Sequence, residues 1–179
     1  MLHTPYGGIG GYVGAAGSYK CPGDRSYIIF SGQRVPRVRS YTLNSYMNSL
    51  IRSGPDNRSL YLFFNKASDL NQVSSADIFT FVDTHEDSIY QPHFGVKTQL
   101  NFGEYQWSSV PAGRHNRKGA LGFADGHSER HRWVDPRTYQ PVLRKTLADR
   151  MSAIGNGDNR DITWLKEHCS KPRVGDFIP

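Results

Sequence analysis

The feature that most constrains the fold is an Asp-Gly pair, Asp125-Gly126, between two extended stretches at residues 119–124 and 127–133. A tight turn between antiparallel strands needs positive φ at its central residues, and Asp-Gly adopts such angles at low cost. The sequence therefore predicts a β-hairpin over residues 119–133.

The length of the turn decides which side chains share a face. A two-residue turn would pair Phe123 with Ser128. Because side chains alternate between the two faces of a strand, Leu121 and Phe123 would then lie opposite to His127 and Trp133.

Other segments predict a mixture of strands, turns and a little helix. Strands are expected at residues 27–30, 37–42, 60–64 and 78–83, a helical turn at 43–52, and a long loop at 91–113. Apolar spacing predicts a helix over residues 141–154 and a second, shorter one that starts near Asp158 or Asn159 and ends near His168. The expected fold class is α+β: an antiparallel sheet of about four strands around the hairpin, long loops and a C-terminal helical segment.

Four segments between residues 20 and 135 resemble, in the same order, segments of one protein group. They read Cys-Pro-Gly-Asp at 21–24, Ser-Tyr-Thr-Leu-Asn at 40–44, Phe-Val-Asp-Thr-His-Glu at 81–86 and Phe-Ala-Asp-Gly-His-Ser-Glu at 123–129. His115, nine intervening residues and Asp125-Gly126 complete a signature. Together they resemble the prepilin-type proteins with the H-x9-DG signature, which are type IV pilin-like or type II secretion pseudopilin subunits.

The resemblance implies a structural protein of the bacterial cell envelope and not an enzyme. The chain would be a pilin-like globular head on the periplasmic or extracellular side of the inner membrane, and its partners would be other pilin-like subunits of a filament. Such subunits reach the membrane only through an N-terminal helix, which is absent from this chain, so the chain alone is expected to be soluble. The domains would be a Gly-rich lead-in (residues 1–19), the head (20–135) and a C-terminal helical extension and tail (136–179).

An acidic loop offers a candidate calcium site. Asp83, Glu86 and Asp87 bring hard carboxylate oxygens together within five residues, which suits Ca²⁺. Several pseudopilin heads use calcium to fix a loop, so the resemblance implies the same ion. No other cofactor is expected.

The second strand of the hairpin offers an alternative zinc site. His127, Glu129 and His131 alternate along the strand, so they share one face, and their ligand types suit the zinc of a zinc-dependent hydrolase. Successive same-face Cα atoms lie about 7 Å apart, which strains coordination of one ion by all three. A purely structural role for His115 and the Asp-Gly turn is the simpler interpretation, since the turn explains Asp125 and Gly126.

Charge and cysteines leave further alternatives open. The net charge is +6, but residues 61–110 hold six Asp/Glu against two Lys/Arg, between basic flanks. This asymmetry suits head-to-tail contact between like subunits, or an envelope module that binds a polyanion such as polysaccharide or DNA, although nucleic acid is not the expected partner. Cys21 and Cys169 are the two cysteines, and their spacing does not decide whether they pair.

Overall fold

The computed structural model describes residues 10–48, 61–89, 91–97, 109–144 and 158–173. The strands are β1 (Tyr27–Phe30), β2 (Gln33–Pro36), β3 (Tyr41–Asn44), β4 (Phe79–Asp83), β5 (His93–Phe94), β6 (Lys118–Phe123) and β7 (Ser128–Arg132). The helices are α1 (Gly10–Val13) and α2 (Arg160–Cys169), and short 3₁₀ turns occur at Ala16–Tyr19, Ala67–Gln72, Ser75–Asp77 and Glu86–Ser88.

The strands form a mixed five-stranded sheet and a separate two-stranded hairpin. The larger sheet has the order β5-β3-β4-β6-β7, and β1 pairs only with β2. The α+β class is confirmed, and the main sheet has five strands where about four were predicted. One detail of the prediction is wrong: the sheet is mixed, because β5 runs parallel to β3. β5 has two residues, too few for a periodic pattern, so the sequence placed it in a long loop.

The hairpin of β6 and β7 is confirmed, but its predicted register is wrong by one residue. Gly122 faces Ser128, and the Phe123 N–H donates to the carbonyl of His127 at 2.9 Å. The loop therefore has three residues, and Gly126 closes it at φ +96° with its N–H bonded to the Phe123 carbonyl. A type I turn followed by a left-handed glycine is the usual three-residue hairpin loop.

The shift moves a set of side chains to the other face of the sheet. Phe123 is buried and stacks on His127 with ring centroids 4.3 Å apart, so these two residues share a face. A one-residue slip reverses the side chains of β7 relative to those of β6, so Leu121 and Phe123 share a face with His127 and Trp133, which were predicted to lie on the opposite face.

A two-residue turn with positive φ at both residues does occur in the structure, but it lies before β6, at Asn116 and Arg117. Their φ angles are +55° and +63°, and His115 and Lys118 exchange two backbone hydrogen bonds of 3.3 Å across them. This is the conformation of a type I′ turn, found here without glycine. It reverses the chain immediately before β6.

One face of the main sheet and α2 enclose the hydrophobic core. Buried residues of the core are Tyr46, Phe64, Ile78, Phe79, Val82, Phe94, Val110, Leu121, Phe123, Trp133, Ile162, Leu165 and Cys169. The predicted cap is confirmed, because the Asn159 side chain accepts hydrogen bonds from the N–H groups of Asp161 and Ile162. The helical extension therefore shares one core with the sheet.

Several predicted elements differ from those observed. Residues 141–144 are not helical, and 145–154 lie outside the described residues. The strand predicted at 37–42 begins at Tyr41 and takes in residues 43–44 of the predicted helical turn. Residues 61–64 form only isolated bridges, Tyr61 to Pro172 and Phe64 to Met47. Within the described ranges, every helix is too short or too polar to cross a membrane.

Candidate functional site

A buried polar cluster lies at the end of β4. Its members are Cys21, Asp24, Asp83, Arg114 and His115, and it is called the polar cluster below. Asp83 is the last residue of β4, and it follows a core-facing valine, so its side chain points to the face opposite the core. The cluster is thus separated from the hydrophobic core by the sheet itself.

The Cys-Pro-Gly-Asp segment is fixed to the start of β3 by short hydrogen bonds. The Cys21 N–H donates to Ser40 Oγ at 2.6 Å, and the Ser40 N–H donates to the Tyr19 carbonyl at 2.9 Å. A turn closes when the Asp24 N–H donates to the Cys21 carbonyl at 2.9 Å. These bonds place the thiol beside the end of β4.

Arg114 neutralises the buried carboxylate of Asp83. Its Nη1 donates to Asp83 Oδ1, and its Nη2 donates to the Thr84 carbonyl at 3.0 Å. The same guanidinium lies 3.7 Å from Asp24 Oδ1 and 4.0 Å from Glu86 Oε1. One cation therefore faces three carboxylates.

His115 reaches Cys21 from the turn before β6. Its Nε2 lies 3.1 Å from Cys21 Sγ. The positive-φ turn at Asn116 and Arg117 fixes the direction of this imidazole, because it reverses the chain directly after His115. Cys21 is buried and His115 is partly exposed, so the imidazole lies between the thiol and solvent.

Three side chains of the polar cluster have the spacing of metal ligands. One donor atom each from Cys21, Asp83 and His115 lies within 4.8 Å of the other two. Within the described residues, no other group of three His, Cys, Asp or Glu side chains meets this distance.

Burial dominates the electrostatics of the cluster. It raises the pKa of Asp83 above its usual value, although the Arg114 guanidinium opposes the shift, and it raises the pKa of the Cys21 thiol. Burial, with smaller contributions from Cys21 and Asp83, raises the pKa of Tyr41 to about 12. In the described part of the chain, Oδ2 of Asp24 and Oδ2 of Asp83 are buried without a hydrogen-bond partner.

The three residues predicted to bind calcium do not meet at one point. Asp83 and Glu86 approach Arg114, whereas the Asp87 carboxylate accepts hydrogen bonds of 2.9 Å from the N–H groups of Leu143 and Arg144. A guanidinium and backbone amides thus lie where the prediction placed a cation. The calcium site stays a prediction that this arrangement does not favour.

The three residues predicted to bind zinc also do not meet at one point. His127 Nδ1 lies 2.6 Å from Asp125 Oδ1, at the tip of the hairpin. His131 stacks on Trp164 with centroids 3.8 Å apart, and its Nδ1 is 3.9 Å from Glu129 Oε1. The two imidazoles contact different neighbours, as the 7 Å spacing along a strand predicts.

The two ends of the sequence signature lie at the two ends of β6. His115 precedes β6 and belongs to the polar cluster, whereas Asp125 and Gly126 form the loop after it. Six strand residues separate them, which is about 17 Å. The structural interpretation of Asp125 agrees with its contacts, because its carboxylate accepts the His127 N–H at 3.0 Å.

The sequence did not indicate that Cys21 and Asp83 would join His115. The thiol and the imidazole are 94 residues apart. The available signal was that Cys21, Asp83 and His115 all belong to the residues that carry the resemblance. The two cysteines do not pair: Cys21 lies in the cluster, and Cys169 is a buried thiol at the end of α2.

A cavity of about 240 Å³ borders the cluster on the side of Arg114, with Glu86, Tyr139 and Val142 also in its wall.

No protein-family model, curated protein or solved structure matches the chain. The polar cluster is therefore interpreted from its own geometry.

Proposed function

We propose that the chain is the globular head of a pilin-like or pseudopilin subunit of the bacterial envelope, and that it acts by packing against copies of itself, without catalysing a reaction. The observation that carries this proposal is the apolar surface of the β1–β2 hairpin. The proposal also draws on the resemblance of the four segments between residues 20 and 135.

The β1–β2 hairpin exposes large apolar side chains. Ile29 is 62% exposed, Phe30 67% and, just beyond β2, Val38 61%. Neither strand buries a side chain. Ile28 pairs with Val35, and Phe30 shares their face, whereas Ile29 lies on the other face of the hairpin. Neighbouring apolar residues on a surface are typical of protein contact sites, because water leaves them favourably when a partner binds.

The hairpin is nevertheless held firmly against the rest of the head. Just after β2, Arg37 Nη1 donates to the Ile89 carbonyl at 3.0 Å, and Arg39 Nη2 donates to the Gln91 carbonyl at 2.6 Å. The Arg144 guanidinium lies 4.8 Å from the centre of the Tyr27 ring. A fixed surface loses little conformational freedom on binding, which favours its use as an interface.

The residues of the resemblance have structural contacts that suit a head domain. Asn44 joins the sheet to α2, Ser40 holds the Cys21 segment, and Asp125 closes the hairpin loop. Cys21 is buried and its pKa is raised, so it lacks the thiolate character of a nucleophile. These contacts support a scaffold and give no support to covalent catalysis.

Sedimentation velocity over a range of protein concentrations tests the proposal. The head should self-associate, and Ile29→Asp or Phe30→Asp should weaken association by at least tenfold, because a buried carboxylate at the interface is costly. Tyr12→Ser, which removes an aromatic side chain that is 93% exposed elsewhere, should leave association unchanged. A head that stays monomeric at every concentration, or variants that associate like the parent, would contradict the proposal.

A basic face supports polyanion binding as a second candidate. Because Lys118 pairs with Arg132 and Ala120 with Arg130, the three cationic side chains share the outer face of β6 and β7. Arg130 and Arg132 are exposed. Such a face can bind the phosphates or sulfates of a polyanion through ion pairs.

Heparin and duplex DNA are suitable probes for this second candidate. Binding should weaken steeply as salt rises, and Arg130→Ala with Arg132→Ala should lower both affinity and salt dependence. Arg25→Ala with Arg160→Ala removes the same charge from exposed positions away from this face and is the matched control. Equal losses in the two double variants would mean that net charge alone causes the binding, which would contradict a specific site.

A further inference from the structure

We propose that Cys21, Asp83 and His115 form a binding site for one divalent transition metal of the zinc class. The site shares Asp83 with the calcium site expected from the sequence and no residue with the expected zinc site, and it is independent of the contacts proposed between subunits. Its donors converge from three separate segments, and their atoms lie within 4.8 Å of one another.

The donor set selects the class of metal. A cysteine sulfur, an imidazole nitrogen and a carboxylate oxygen are the three ligand types of protein zinc sites, whereas calcium and magnesium take oxygen ligands. The 3.1 Å between Cys21 Sγ and His115 Nε2 is close to the roughly 3.6 Å that separates sulfur and nitrogen ligands on a tetrahedral zinc ion. Small side-chain movements are therefore sufficient for coordination.

Asp83 has an oxygen available for a metal. Arg114 donates to Oδ1, whereas Oδ2 has no hydrogen-bond partner among the described residues although the side chain is fully buried. Leaving such an atom unpaired is costly, and a cation bound to Oδ2 would remove that cost. The Oδ1 contact would remain, so the hydrogen bond from Arg114 would hold the carboxylate in place while Oδ2 binds the metal.

The charges around the site favour a dication. Arg114 is the cation of the polar cluster, and it faces the carboxylates of Asp24, Asp83 and Glu86, so acidic groups exceed basic ones by two. When the metal binds, the Cys21 thiol gives one proton to solvent and its sulfur bonds to the metal as thiolate, while neutral His115 bonds through Nε2. His115 is partly exposed, so the ion has a path from solvent.

The metal would join three parts of the chain that are far apart in the sequence. Cys21 lies in the turn before β1, Asp83 ends β4, and His115 lies in the turn before β6. Because the ligands come together only in the folded chain, binding would stabilise the fold by mass action.

Titration of the chelator-treated protein with Zn²⁺ and with Co²⁺ tests the proposal. We expect one equivalent of zinc to bind in competition with a chromophoric chelator and to raise the melting temperature. Co²⁺ should give the near-ultraviolet charge-transfer absorption of a thiolate ligand and the visible bands of tetrahedral coordination. Cys21→Ser and His115→Ala should each weaken binding at least tenfold, the loss typical of a removed ligand.

Matched controls separate this site from other thiols and imidazoles. Cys169→Ser removes the other buried thiol, and His127→Ala removes an exposed imidazole, so both should bind zinc like the parent. Circular dichroism shows whether Cys21→Ser folds. If it does not, the cobalt spectrum of Cys169→Ser shows whether Cys21 is a ligand, because Cys21 is the only thiol in that variant. Loss of the charge-transfer band in Cys169→Ser, zinc binding unchanged in His115→Ala, or no binding by the parent would overturn the proposal.

Discussion

At the scale of single residues, Asn44 is the main polar connection between the sheet and α2. Its Nδ2 donates to the carbonyls of Phe79 and Cys169, both at 2.8 Å, and its Oδ1 accepts the Tyr46 N–H at 3.0 Å. All three partners are buried backbone groups of different segments. No apolar side chain can replace these contacts.

We therefore expect Asn44→Ala to lower the free energy of unfolding by roughly 3 kcal/mol, because three buried backbone groups lose their partner at about 1 kcal/mol or more each. Urea denaturation followed by circular dichroism measures the loss. Asn65→Ala changes an exposed asparagine and should stay within about 0.5 kcal/mol of the parent. Similar midpoints for the two variants would show that the Asn44 network contributes little.

Gly119 permits the close contact between β6 and Trp133. A Cβ atom at this position would lie 2.8 Å from the Ala112 carbonyl oxygen and 2.9 Å from the Trp133 ring. The indole N–H donates to that same carbonyl at 2.8 Å, so the added methyl would separate a hydrogen-bonded pair.

Gly119→Ala should therefore destabilise the protein by on the order of 1–3 kcal/mol and change the near-ultraviolet circular dichroism of its tryptophans. Gly122→Ala is the matched control on the same strand, since its Cβ would meet nothing closer than 3.7 Å. The explanation fails if the two alanines have equal effects on the urea midpoint.

At the scale of elements, a row of aromatic rings joins β7 to α2. His131 stacks on Trp164, which in turn stacks on His168 with centroids 4.0 Å apart. Burial lowers the pKa of His131, and His168 acts in the same direction, whereas Glu129 and Asp161 oppose it. The folded chain therefore disfavours the imidazolium form at this position.

The lowered pKa of His131 makes the folded state less stable at low pH. The unfolded chain takes up the proton near the ordinary histidine pKa of about 6.5, whereas the folded chain takes it up at lower pH. Stability is thus fully present above pH 6.5 and falls as the pH is lowered through the unfolded value. The melting temperature should drop between pH 7.5 and 5.5, and His131→Phe, which keeps an aromatic ring, should reduce the drop.

Burial also lowers the pKa of His93, so part of the drop should remain in His131→Phe. His127→Phe, which makes the same change at an exposed position of the hairpin, is the matched control. If the melting temperature falls equally in the parent and in His131→Phe, groups other than His131 cause the pH effect.

Elements with a strong local pattern could be predicted from the sequence. The alternation and aromatic content of residues 78–83 indicated β4, Asp-Gly indicated the hairpin, and Asn159 indicated the start of α2. The hairpin register could not be predicted, because Asp-Gly suits both a two-residue turn and the last two positions of a three-residue loop. The burial of Phe123, which is a tertiary effect, decides between them.

The polar cluster could be predicted only in part, for a similar reason. His115 was singled out, and Asp83 was assigned to a loop with Glu86 and Asp87. The contact of Asp83 with Arg114 spans 31 residues, and that of Cys21 with His115 spans 94. Contacts of this length depend on strand order, which local patterns do not encode.

At the scale of the whole molecule, α2 completes the core of the sheet. Ile162, Leu165 and Cys169 pack into the core, and the Asp161 carboxylate accepts the N–H groups of Val134 and Asp135 at 3.0 Å. The helix and the loop after β7 are therefore held by both apolar and polar contacts.

A chain truncated after residue 158 should consequently fail to fold cooperatively and should bind a hydrophobic dye, since one side of the core loses its cover. Leu165→Ala is the graded form of this test and should cost about 2–5 kcal/mol. Glu167→Ala, on the exposed side of α2, should cost less than about 0.5 kcal/mol. A cooperative thermal transition in the truncated chain would mean that residues before 158 form an independent unit.

β6 lies between the His115 turn and the Asp-Gly loop, and this position limits the number of residues that can separate His115 from Asp125. One added residue would reverse the faces of β6 and expel Leu121 from the core. Two added residues would restore the faces but move one end by about 7 Å, which would carry His115 away from Cys21 or the loop away from β7. The nine-residue interval is therefore the length of one strand with its two turns, and a chain that keeps both ends in place has no freedom to change it.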